Sequence, residues 1–185
     1  MIVLSLSCAC RTSFGVAALV DAVGVIRWRR QSSEAEGLAL VEGDSGHIQR
    51  GESLRLYIHS TDPTVTAAIY RMGWYGGTGA RLVQRGIALP GIQQPMPTAD
   101  PVTGLIECNW HVSYILSTQA DDPHEWLSGV YLVKLTGSPR GKQSYIIFVV
   151  REDDRPSDIL FQSSVTTFQA YNNWGGKSTY PSNSH

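Results

Sequence analysis

The chain has 185 residues, of which 42% are hydrophobic and 17% charged, with a formal net charge of −1. That balance describes a foldable chain of one domain, or one and a fraction, and excludes a disordered polymer. Near-neutral charge and the lack of any Lys/Arg-rich run exclude a general nucleic-acid binder.

Residues 1–36 predict a poorly ordered N-terminal segment and linker. The apolar opening at Met1 has no positive charge before it and breaks at Arg11, unlike a signal peptide. The apolar stretch 14–26 contains Asp21 and is too short to cross a bilayer, so no membrane partner is expected. A misassigned start fits these flanks better than a targeting segment, and a cytoplasmic location is slightly favoured. Three cysteines are too few for a disulfide framework. Cys8 and Cys10 lack a second pair to complete a zinc site, and Cys108 reads as a small core residue.

From Gly37 to residue 151 the pattern is that of short strands between turns. Gly43-Asp-Ser-Gly46 and residues 47–53 predict turns, after which residues 54–60 alternate apolar and polar as a half-buried strand does. Asp62-Pro63 is a turn signal, residues 65–72 a strand, residues 73–79 a tight glycine turn, and Arg81 resumes extended structure. Pro90, Pro95, Pro97 and Pro101 mark a long surface loop, because proline cannot join a central ladder. Residues 106–114 predict a strand. Residues 130–135 and 144–150, joined across Gly137-Ser-Pro-Arg-Gly141, predict a hairpin. About seven strands at this spacing predict an Ig-like antiparallel β-sandwich.

Residues 151–156 are charged, end in Pro156, and read as a linker. Residues 158–162 then predict a short buried strand. Strand followed by glycine-bearing loop is how an α/β domain opens, so 152–185 predicts the linker and start of a truncated α/β domain. A lone strand cannot bury both its faces, and the reading is therefore a fragment whose C-terminal α/β domain is the missing partner.

Two strings carry candidate chemistry. In Tyr70-Arg-Met-Gly-Trp-Tyr-Gly-Gly, Arg71, Trp74 and Tyr75 form either a binding surface or a glycine turn whose aromatics cover a sandwich edge. The second string supplies Asn172, Asn173, Trp174 and Lys177 as further contact residues. Its Gly-Lys-Ser ending lacks the earlier glycine of a phosphate-binding loop, where Tyr171 stands instead. The five histidines show no metal-ligand spacing. Phenolates are hard ligands able to hold ferric iron, and Tyr171 and Tyr180 are the candidates, against ordinary bonded tyrosines.

The order of these strings is specific. Residues 70–77, Leu89-Pro-Gly with the proline loop after it, 100–108, 126–135, 144–151 and 168–178 together resemble the large (beta) subunit of N,N-dimethylformamidase and its bacterial relatives. The resemblance covers about 37–180. It implies a β-sandwich ahead of a glutamine-amidotransferase-like α/β domain in an amide hydrolase. It further implies a mononuclear iron held by two tyrosines and a glutamate, which cleaves a small amide substrate by Lewis-acid activation of carbonyl and water. Tyr171 is the first position to match such a ligand and Tyr180 the second, with remaining ligands expected downstream of His185. A small subunit or a second copy of the chain is the expected partner. The chain by itself is expected to be inactive. The alternative is a sandwich module for binding or assembly without catalysis.

Overall fold

The computed structural model describes residues 46–102, 109–119 and 125–162, together with residues 167 and 180 and three N-terminal strands. Those three are β1 (Ala17–Val20), β2 (Ile26–Arg29) and β3 (Leu38–Ala39). The others are β4 (His47–Gln49), β5 (Ser53–Leu56), β6 (His59–Ser60), β7 (Thr64–Met72), β8 (Ala80–Pro90), β9 (Tyr114–Ser117), β10 (Gly129–Ser138) and β11 (Gln143–Arg151).

The protein is mainly β and forms a sandwich. One layer is a five-stranded sheet ordered β4-β11-β10-β7-β8. The facing layer pairs β5 with β9 and β3 with β6. Period-2 alternation decides which residues meet between the layers. From the large sheet come Val65, Ala67 and Ile69 of β7, Tyr131, Val133 and Leu135 of β10, and Ile146, Phe148 and Val150 of β11. Leu54, Leu56, Ile58 and Leu116 close the core from the other side. Each of the larger of these side chains, removed from water, stabilises the fold by roughly 1.5–3 kcal/mol before chain entropy is set against it.

The expected hairpin forms as β10–β11, running in register from Gly129↔Val150 to Thr136↔Gln143. At the opposite end of β10, the Tyr131 hydroxyl donates to the Leu127 carbonyl at 2.6 Å. A tyrosine bonded to backbone a few residues upstream is a corner device of immunoglobulin-type sandwiches. Trp126 packs on Tyr131 with ring centroids 5.4 Å apart, and Phe148 stacks on its other side at 5.3 Å.

Several expectations need correction. His47–Gln49, expected as a turn, is an edge strand, parallel to β11. Three residues are too few to show alternation, and only the partner strand defines them. Ile26–Arg29 pairs with Ala17–Val20 inside the segment read as linker. The strand expected over 106–114 begins at Tyr114, while residues 106–108 lie outside the described residues. Residues 109–113 lie outside any strand: the Ser113 N–H still bonds the Leu56 carbonyl at 2.8 Å, but at His111 a side chain takes the backbone bonds. Buried Gln94 donates to the His111 carbonyl at 2.7 Å and accepts from its N–H at 3.1 Å. Residues 158–162 form no strand, and Ile159, Leu160 and Phe161 are exposed. No described strand lies beside them to bond their backbone, so apolar character alone does not make them a buried strand.

Candidate functional site

The β7–β8 connection builds the candidate site. Glycines at 73, 76, 77 and 79 let the chain reverse within seven residues, and Gly76 and Gly77 take φ of 67° and 94°, which side chains resist. The Gly73 N–H bonds the Gly79 carbonyl at 3.0 Å, and the Gly77 N–H bonds the Trp74 carbonyl at 2.8 Å. The turn is therefore closed by its own backbone. It holds Tyr75 at φ 42°, a left-handed conformation that is uncommon for a bulky residue. Trp74 is thrust outward and is 81% exposed. Sandwiches commonly bury a tryptophan, and here Trp110 and Trp126 do so instead.

Behind the turn, Arg71 donates from one terminal nitrogen to the Tyr75 hydroxyl at 2.6 Å and from the other to the Ser128 carbonyl at 2.6 Å. Gly129 makes room for this: a Cβ there would stand 3.1 Å from the Arg71 Nε. That Nε is buried and has no hydrogen-bond partner. Arg81 lies directly across the β7–β8 register from Arg71, with its guanidinium carbon 5.9 Å from the Tyr75 ring centre. Burial pushes the Tyr131 phenol up from 10.0 to about 12, although the Arg71 cation pulls the other way.

Glu152 flanks this end from the start of the C-terminal segment. Burial raises its carboxyl pKa, but the Ser128 N–H at 2.7 Å, with Arg155 and Arg50 nearby, outweighs burial and holds it below the usual value. Its bonds brace the Ser128 backbone that in turn receives Arg71.

The structure thus gathers three residues singled out in sequence, Arg71, Trp74 and Tyr75. Asn172, Asn173, Trp174, Lys177 and Tyr171 lie outside the described residues. Tyr180 is described and is 42% exposed. A ferric site needs several hard anionic ligands converging on one point. Among the described residues no three His, Cys, Asp or Glu side chains do so, and Tyr180 is the one candidate tyrosine with a described position. Sequence reasoning missed Arg81, Ser128 and Gly129. Arg81 was identifiable as a cation shortly after the glycine turn, but its pairing with Arg71 depends on the hairpin register, which the loop length did not fix.

Fold and site together define a β-sandwich subunit that presents an aromatic, cationic turn at one end. The family model for the C-terminal part of N,N-dimethylformamidase beta subunit-like proteins matches residues 66–185, and the chain belongs to that family. The match begins inside β7, so the sheet it enters is completed by β4, which precedes it. No curated protein and no solved structure matches the chain.

Proposed function

We propose that the chain belongs to an amide hydrolase of the dimethylformamidase type, and that its sandwich, Ig-like in strand arrangement, serves docking and assembly. The observation carrying this reading is Trp74, an exposed indole fixed on a turn that closes on its own backbone hydrogen bonds. Large rigid aromatics make strong contact anchors because little side-chain entropy is lost on binding. The polar groups of the sandwich support it differently, since Gln94, Ser60, Ser113 and Thr118 are engaged in bonding backbone. In this proposal, hydrolysis of a small amide, with iron as the resemblance implies, rests on groups beyond the sandwich, Tyr171 first among them. The 185-residue chain alone then lacks turnover. Purified chain incubated with iron and dimethylformamide should release no more dimethylamine than its Tyr171→Phe variant. Release above that control would overturn the proposal.

A further inference from the structure

The two arginines of the site are a charge problem that the described residues leave unsolved. Arg71 and Arg81 are directly opposed on neighbouring strands, where like charges destabilise a sheet. Neither forms an ion pair with a described carboxylate: Arg71 bonds two neutral oxygens, and Arg81 meets the face of Tyr75. Three carboxylates of the sandwich are engaged with other arginines: Asp62 with Arg140, Glu152 with Arg50 and Arg155, and Asp153 with Arg151.

Tyr75 couples the pair. Its hydroxyl oxygen accepts from Arg71, so its proton is directed elsewhere and finds no acceptor among the described residues. A phenol polarised by a guanidinium, with a second guanidinium over its ring, supplies what a carboxylate requires: a donor, a neighbouring cation and a second cation behind. Arg81 and Trp74 are both exposed, so the approach is open from solvent. The strained backbone of Tyr75 holds this hydroxyl in place before anything binds.

We propose that this corner docks an acidic segment of a partner polypeptide, one carboxylate bonding Tyr75 and Arg81 while an adjoining apolar side chain lies on Trp74. Charge complementarity selects the occupant, because two cations with no carboxylate partner among the described residues, beside one exposed indole, match a carboxylate next to an apolar group. The inference rests on the docking reading above and gives its partner a chemistry.

The test titrates the full 185-residue chain with two capped tetrapeptides, one with two glutamates between leucines and one with glutamines in their place. The Trp74 indole N–H resonance reports binding. The glutamate peptide should shift that resonance, and the glutamine peptide should bind about tenfold more weakly or less. Arg81→Gln should remove about the same factor while leaving the thermal midpoint in place or slightly higher, and Tyr75→Phe should weaken binding while keeping the ring. Added salt should weaken the glutamate peptide alone. Equal binding of both peptides, lost in Trp74→Ala but unchanged in Arg81→Gln, would overturn the carboxylate site and leave docking through Trp74 standing. No shift with either peptide would overturn both.

Discussion

The two ends of strand β7 handle an arginine in opposite ways. At its start, Arg140 reaches from the β10–β11 turn and bonds the buried Asp62 carboxylate at 2.7 Å and the Thr61 hydroxyl. Ser60 bonds the Asp62 backbone, and Gly137 and Gly91 come so close that a side chain at either would collide with Asp62. At the far end, Arg71 is held as firmly but by neutral oxygens, with Arg81 beside it. One end is an ion-paired clasp tying two turns together, with Asp62 Oδ2 left buried and without a hydrogen-bond partner. The other has no carboxylate partner for its arginines among the described residues. On the docking proposal, stability and readiness to bind are thereby separated along a single strand.

The sharpest way to break the contrast is to remove the acid from the ion-paired end. Asp62→Ala should lower stability by about 2 kcal/mol, because a buried, bonded carboxylate is lost along with its hold on the hairpin turn. The figure stays below that of a fully buried pair because the Arg140 side chain is 39% exposed and can turn to water. Denaturant midpoints of wild type and variant, at unchanged slope, measure it. A loss no larger than that from a surface substitution would mean the clasp contributes little.

An intermediate effect is expected at Tyr131, which sits between the core and the Arg71 end. Tyr131→Phe keeps the stacking with Trp126 and Phe148 and removes the bond to Leu127, costing about 1 kcal/mol. The variant also changes behaviour in alkali. Folding raises the Tyr131 pKa from 10.0 to about 12, so its contribution is complete below 10.0 and is lost as pH rises toward 12. Stability in that window should fall less steeply in Tyr131→Phe than in wild type. Equal slopes would show that Tyr131 does not ionise differently on folding.

How far this was legible in the sequence follows from what each feature depends on. The β10–β11 hairpin was legible because two runs rich in β-branched and aromatic residues flank a glycine–proline turn. The tight turn over 73–79 was legible because four glycines surround two aromatics, whereas the sequence left open whether those rings cover an edge or face solvent, and Trp74 faces solvent. β4 was not legible, since three residues acquire strand character only from β11. Residues 109–113 misled for the opposite reason: their pattern suits a strand, but Gln94, 17 residues before His111, takes the backbone bonds of that residue. Residues 158–162 have the composition of a buried strand, and composition cannot supply a neighbour. For β4 and for residues 109–113, the deciding partner lies elsewhere in the chain.

The smallest expected effect carries the comparison furthest. If the Arg71/Arg81 end keeps unbalanced charge for a ligand, neutralising one arginine should relieve repulsion instead of breaking a support. Arg81→Gln should raise stability by about 0.2–0.5 kcal/mol at low salt, the scale of opposed like charges across strands. Added salt should shrink the gain, because Arg81 is exposed and its field is screened. The cation–π approach to Tyr75 works against the gain, but at 5.9 Å and exposed it contributes weakly. The sign therefore decides between two accounts of this corner. A salt-sensitive increase marks a site that gives up stability to stay cationic, whereas a salt-insensitive decrease would make Arg81 a structural residue packed on Tyr75, and the two ends of β7 would differ in partners but not in purpose.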